Sequence, residues 1–365
     1  MLRFLNIPAV VGTLLLAAAP APGQDPVVEP LPALRADPDP DDDPVNGAAP
    51  DRVPNALRST IEALGASAGV PDGAGLSWYP RSAVRGQTGP NGQAARMALT
   101  NFQFGATAPV YTDDADLVFA NGSARVLAVR SDARLPTDRV HFPRSFWDVQ
   151  AGGGYVHQFG GGWSAGGAIN LGTASDRPFN SLAEATLSAL AFVRMPDGPK
   201  NGVLFYVVST SNGQLGRNIP VPGVAYEYHS DRLTAVVGFP FVNVDYRPTK
   251  ELQFEFTYAA LTDVLARASY HVTDHARVFT GFQWTNQSWF RAGRRDTQAQ
   301  TFLYQKQFEG GFGWQAAQRV DFRFTGGYAF DRYFIENRGL SFTRGRNRVD
   351  LAPGPFVAAQ LEFKY

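Results

Sequence analysis

The chain contains no cysteine, which excludes disulfides and thiolate metal sites. Lysine occurs only at positions 200, 250, 306 and 364, so nearly all the positive charge is arginine. Beyond residue 23 no apolar run reaches the 18 residues of a membrane-crossing helix. A composition suited to helices is also missing, because 37 Gly and 26 Pro argue against a mostly helical domain. Net charge is formally zero. Residues 1–94 hold 6 basic and 10 acidic side chains, which leaves 27 basic and 23 acidic in 95–365. That excess of about +4 is too small to argue for nucleic acid as a partner.

What is present begins with an export signal. Arg3 supplies a positive start, and Ile7 to Ala19 is apolar but too short to span a bilayer. Ala21 and Gly23 place small residues at −3 and −1, so residues 1–23 read as a signal peptide cleaved before Gln24. Residues 24–94 read as a disordered linker. Asp37-Pro38-Asp39-Pro40-Asp41-Asp42-Asp43-Pro44 repels itself and has nothing to bury, and 69–93 is rich in turn formers. The acidic run lacks the Gly and distal Glu of an EF-hand loop.

From residue 95 the chain alternates with period two, the signature of strands with unlike faces. Leu252, Phe254, Phe256 and Tyr258 alternate with Glu251, Gln253, Glu255 and Thr257. Val320, Phe322, Phe324, Tyr328 and Phe330 alternate with Asp321, Arg323, Thr325 and Asp331. The final segment does the same: Val357, Ala359, Leu361, Phe363 and Tyr365 against Ala358, Gln360, Glu362 and Lys364. Aromatics at 13% suit interfacial girdles. A soluble sandwich shares the period, so the period alone does not choose between the two.

The segmentation predicts about fourteen strands, with twelve as the alternative count, in a closed antiparallel transmembrane β-barrel over 95–365. The first strand, 97–106, would close on the last, 355–365. The alternation flips at Phe239-Pro240-Phe241, which reads as a bulge within one strand over 232–246. With Tyr365 on the periplasmic side, the Arg-rich segment 334–354 falls outside, and the turns at 248–250, 273–275 and 315–318 fall inside. The same count makes 131–145 a long periplasmic connection.

The bare aromatic ending resembles the C-terminal strand of bacterial outer-membrane β-barrels. In that family Phe363 and Tyr365 would belong to the signal read by the assembly machinery. Asp176-Arg177-Pro178-Phe179, Gly238-Phe239-Pro240 and Tyr246-Arg247-Pro248-Thr249 together resemble an uncharacterised family of outer-membrane β-barrel proteins. The resemblance implies location and fold. It supplies no reaction and no catalytic residues.

Candidate chemistry is sparse. Gly162-Trp163-Ser164-Ala165-Gly166 matches a nucleophile elbow, but that chemistry needs a strand, a sharp turn and a helix, and a second strand follows here. Gly152-Gly153-Gly154 lacks dinucleotide-binding spacing. His271 and His275 are four apart across a turn, whereas a zinc pair at that spacing needs a helix. His141, His157 and His229 have no nameable partner. No cofactor, metal ligand or catalytic residue is assigned. The one distributed constellation is the charged row expected to face inward: Asp245, Arg247, Glu251, Glu255, Arg267, Glu309, Asp321, Arg323, Asp331, Glu362 and Lys364. Such charges either line a polar channel or fill a lumen with ion pairs.

The function these features favour is a non-enzymatic outer-membrane barrel, a porin-like channel for small polar solutes or a structural barrel. Its partners would be outer-membrane lipids, the assembly machinery and those solutes. Two other classes stay open: a barrel-type outer-membrane hydrolase, and a soluble secreted β-domain that binds carbohydrate or protein.

Overall fold

A computed structural model describes residues 73–363, apart from 90, 91, 199, 215, 261 and 340–343. The expected signal peptide, the linker as far as 72, Lys364 and Tyr365 lie outside the described residues. Seventeen strands follow one another. They are β1 Gly73–Thr88, β2 Ala94–Thr112, β3 Asp116–Ser131, β4 Ser145–Gln158, β5 Ser164–Ser175, β6 Ala185–Asp197, β7 Asn201–Thr210 and β8 Val221–His229. The rest are β9 Leu233–Phe239, β10 Phe241–Tyr246, β11 Leu252–Ala259, β12 Asp263–His271, β13 Ala276–Trp289, β14 Gln300–Ala317, β15 Val320–Asn337, β16 Arg346–Leu351 and β17 Gly354–Phe363.

Each strand pairs antiparallel with the next, and the ring closes where Gly73–Trp78 of β1 pairs with Glu362–Val357 of β17. Strands β16 and β17 share one place in the ring. Both pair with β15 and with β1, and Ala352-Pro353 separates them. The fold is therefore a closed all-antiparallel barrel of sixteen staves, the last one interrupted. At the level of that interruption β1 carries Pro80, and its register with β2 shifts between Tyr79 and Ser82. Proline supplies no ladder donor, so the closing seam has its fewest hydrogen bonds there.

Two corrections turn the expected fourteen into sixteen. Residues 73–88, expected in the linker, form β1, so the ring closes on this strand and not on 97–106. Residues 232–246 are a hairpin and not one bulged strand. Val242 pairs with Val237 and Tyr246 with Leu233, and the chain reverses at Phe239-Pro240, whose peptide is cis. That reversal inverts the direction of every strand before it. The connection at 132–144 consequently moves to the end opposite the termini. At the terminus end the connections are 113–115, 159–163, 198–200, 230–232, 247–251, 272–275 and 318–319, each of five residues or fewer. The long connections 132–144, 176–184, 211–220, 290–299 and 338–345 all lie at the other end.

Alternation sets the two faces. Trp78, Phe102, Phe104, Phe312, Phe324, Tyr328 and Val357 point outward and are exposed. Stave length is uneven. β1 and β2 have 16 and 19 residues and β14 and β15 have 18 each, whereas β9 and β10 have 7 and 6.

Glycine has a definite job on the inner wall. Phe119, Phe192, Tyr206, Phe279 and Phe356 each stand directly across a strand pair from a glycine: Gly154, Gly166, Gly223, Gly311 and Gly327. A Cβ at Gly223 would sit 2.2 Å from the Tyr206 ring, and one at Gly154 would sit 2.4 Å from Phe119. Each ring is laid over its glycine, flat against the wall, and does not project into the lumen. Gly223→Ala should overpack this site and cost about 1–3 kcal/mol. Unfolding in urea compared with Tyr206→Leu/Gly223→Ala should show the double variant regaining part of the loss. No recovery would mean that the ring does not rest on the glycine.

Candidate functional site: the lumen and its covered mouth

The inner wall has two characters. From β10 to β17 it carries paired charges. Asp245 faces Glu255 in register, and Glu255 faces Arg267 at 3.6 Å. Arg267 reaches past β13 to Glu309 at 2.8 Å, and Arg277 reaches past β14 to Asp321 at 2.8 Å. Arg323 pairs with Glu362 at 2.9 Å. Side chains two strands apart meet only on the concave face of a curved sheet, so these contacts fix which face is inside. Glu309 and Asp321 are buried. Above the ladder, Gln305 donates to the Tyr79 hydroxyl at 2.8 Å and accepts from Arg332 at 3.0 Å, which ties β14 to β1 and β15.

From β3 to β10 the inner wall carries an apolar cluster of Leu117, Val156, Phe192, Leu204, Tyr206, Ala225, Val236 and Phe241. Charge on these strands comes from the buried pair Arg194 with Glu227 at 2.5 Å and from Arg125, which faces Asp148 in register.

Of the residues expected to face inward, Asp245, Glu255, Arg267, Glu309, Asp321, Arg323 and Glu362 share the inward register. Three do not. Arg247 and Glu251 lie in the exposed turn 247–251, where Arg247 holds Asp245 at 3.1 Å. Asp331 sits at a register shift between β14 and β15 with φ 48°, and it points away from the ladder to Lys306 at 2.7 Å. The bulge moves the β15 phase by one residue, so that Arg332, Phe334 and Glu336 take the inward side. Arg277 and the Arg194–Glu227 pair were missed. Arg277 follows a turn closely, and the apolar strands of the first half gave no charged row to follow.

Other weighed residues are dispersed. Ser164 is a buried strand residue facing Arg194 in register, with β5 continuing beyond it. His271 Nε2 lies 3.2 Å from Gln253 Oε1, and His275 is in the exposed turn 272–275. His157 Nδ1 lies 2.6 Å from Asp116, which also accepts from Tyr155, and Phe159 packs edge-on against the imidazole. His141 bridges Arg134 inside 132–144. Phe363 ends β17, exposed.

The mouth at the long-loop end is covered from within. β13 and β5 are opposite staves, yet the end of β13 crosses to β5: Phe290 bridges Ser175, and Phe290 N–H donates to Ala174 O at 2.8 Å. The Asp176 carboxylate accepts from Ala292 N–H at 2.5 Å. Segment 290–299 is thus a strap across the opening. Loop 211–220 reaches it from another side, with Asn212 donating to Ser288 O at 2.8 Å and Gln214 to Asn286 O at 3.0 Å. Arg217 and Arg294 each lie 4.8 Å from the Phe290 ring. Beneath the strap, Phe142, Phe146, Trp289 and Phe334 form an aromatic plug with Met97, Leu99 and Leu127.

Ion pairs latch the strap. Arg291 contacts both Asp138 of loop 132–144 and Glu336 of β15, and it is buried. Arg346 adds a contact to Asp138 at 3.2 Å, and Asn347 donates to Asp138 at 3.0 Å and also to Glu336. Arg338 holds Asp296 at 2.6 Å. Burial pushes the Asp138 carboxyl up, but Asn347, Arg291 and Arg346 outweigh it and hold the group below its ordinary range. The Arg338 hydrogen bond, then the Gln298 N–H, lowers Asp296. Burial raises Asp176 despite its bond from Ala292.

The three motifs that carried the sequence resemblance all fall at connections: 176–179 against the strap, 238–240 at the hairpin reversal and 246–249 at a terminus-end turn. The class of fold that the resemblance implies is the one observed. No family model matches the chain, and no curated protein matches it. Similar solved structures include a bacterial polysaccharide outer membrane secretin, 13% identical, with 81% of this chain and 99% of that chain covered and a TM-score of 0.27. They also include the outer-membrane expressed OmpT of Vibrio cholerae, 11% identical, covering 80% and 96% with a TM-score of 0.28. A third is the beta domain of the Bordetella autotransporter Brka, 9% identical, covering 80% and 100% with a TM-score of 0.22.

Proposed function

We propose that the chain is a non-enzymatic outer-membrane channel for small polar solutes, held shut at its outer mouth by the strap 290–299. The observation that carries this reading is the ring itself. Sixteen staves make a barrel too wide for side chains to fill, and barrels of that size enclose water. The inner wall carries a ladder of opposed charges that needs such water, and the outer wall presents the exposed apolar and aromatic side chains of a lipid-facing band. Five rings laid over glycines stay close to the inner wall. The short connections at the terminus end belong in the periplasm and the long ones outside. Export by residues 1–23 and recognition of the aromatic end by the assembly machinery complete the proposal.

Reconstitution in planar bilayers tests it. The intact barrel should insert and stay mostly closed, with brief openings, and a variant with 291–298 replaced by a Gly-Gly link should conduct steadily. Replacing Arg267 and Arg323 by Gln in that open variant should shift selectivity toward cations, because two fixed positive charges leave the ladder. A strap-deleted barrel that inserts without conducting would reduce the function to a structural one.

A further inference from the structure

The latch contains a cavity whose chemistry the channel reading does not use. It has a volume of about 200 Å³ and is lined by Arg291, Arg295, Arg338 and Arg346 against Asp138, Asp296 and Glu336. At ~30 Å³ per water this is room for roughly six or seven waters, or for a small organic anion. We infer that this cavity binds a small oxyanion, a phosphate or carboxylate group carried by a compact solute.

Charge selects the sign. Four guanidinium groups face three carboxylates, so the lining is formally +1. An anion neutralises it, and a cation adds to it. The carboxylates are already taken: Asp138 by Arg291 and Arg346, Glu336 by Arg291, and Asp296 by Arg338. Donors remain. Arg295 makes no ion pair among the described residues and is exposed where it lines the cavity. Arg291 is buried with its Nε hydrogen unpartnered. Guanidinium groups present paired N–H donors that match the oxygens of phosphate and carboxylate, and such charge-assisted bonds are among the strongest a surface cavity can offer. The strap residues Arg291, Arg295 and Asp296 meet Arg338 and Arg346 only when the strap is in place, so the folded-in mouth is what assembles the cavity.

The same chemistry is carried by a free solute and by a lipid phosphate, and the test separates them. Inorganic phosphate is titrated calorimetrically into the full-length barrel in a nonionic detergent. Wild type should show saturable binding that weakens as sodium chloride is raised. Arg295→Ala removes a side chain that acts on Asp138 only at a distance and makes no close ion pair or hydrogen bond among the described residues, so it should fold and run heat-modifiably like wild type while binding about tenfold or more weakly. Arg295→Lys should fall between, because the charge stays and the fork is lost. Arg232→Ala, an exposed arginine at the other end, should bind like wild type. In a second arm the barrel sits in vesicles of phosphatidylcholine with or without phosphatidylglycerol. Phosphate binding that survives phosphatidylglycerol assigns the cavity to a free solute, and suppression assigns it to a lipid phosphate. The inference is overturned by an absence of saturable phosphate binding, by Arg295→Ala binding like wild type, or by tighter uptake of calcium that Asp296→Asn abolishes. None of these readouts needs conduction, so a barrel that proves non-conducting leaves the inference standing.

Discussion

Phe324→Arg should destabilise the folded barrel by about 2–4 kcal/mol in lipid, the cost of an arginine near the bilayer midplane on the lipid face. Phe324 points outward in the spanning part of β15, more than half exposed at 53%, with Ala359 and Phe312 as its register partners. Arg323, one residue earlier, points the other way onto Glu362 and Gln360. Arg323→Gln puts no charge into lipid and keeps a donor for Gln360. It should cost on the order of 1 kcal/mol, because Glu362 is only partly buried. Urea unfolding in vesicles of both variants, with Phe324→Leu as the apolar control, measures the contrast. If Arg323→Gln proves the more damaging and Phe324→Arg is tolerated, inside and outside have been exchanged, and a soluble sandwich describes the chain better.

The second large effect is expected at the latch. Among the described residues Arg291 is the one side chain that holds loop 132–144, the strap and β15 together, through Asp138 and Glu336. Arg291→Ala leaves the buried Glu336 and the partly buried Asp138 with Arg346, Asn347 and the more distant Arg295 to share. Breaking a buried pair in this way costs about 3–5 kcal/mol where the structure cannot yield. A strap can yield. The variant should therefore keep the barrel and lose the closure, and single-channel recordings should show long openings where wild type shows brief ones. Asp138→Asn/Glu336→Gln/Arg291→Gln keeps the shapes and removes the buried charges, so it should close better than Arg291→Ala. Unchanged gating in Arg291→Ala would assign closure to the aromatic plug alone.

Much of the barrel was legible from alternation, and the failures have local causes. β1 escaped because its first inward positions are Gly73, Gly75 and Ser77, small residues that read as turn formers. They are small for a reason seen only in three dimensions: a Cβ at Gly75 would meet the Gln103 side chain at 2.8 Å. At Pro240 a bulge and a reversal leave the same local mark, a missing donor and a flipped phase. What separates them is direction around the whole ring, which puts 132–144 at the end opposite the termini. Asp331 shows the converse. An aspartate tolerates positive φ, and nothing beside it in sequence announces the bulge. The strap and its cavity were illegible because their contacts join residues far apart in the chain: Asn212 with Ser288, Asp176 with Ala292 and Asp138 with Arg291. Period two reports which way a side chain faces and says nothing of which loop lies over it.

In the membrane channel proposed above, the uneven staves carry a consequence for the surrounding lipid. At about 3.3 Å per residue, the 6 and 7 residues of β10 and β9 reach only some 20–23 Å along the strand, below the ~9–11 tilted residues that match a hydrocarbon core. The opposite side, with 16 to 19 residues in β1 and β2, has length to spare. A rigid ring with one short flank forces its surroundings to adapt: acyl chains beside the Pro240 hairpin compress, or the cylinder leans until that flank is covered. Either response gives the protein a thin-membrane side and a thick-membrane side, and so a preferred heading in any bilayer whose thickness varies.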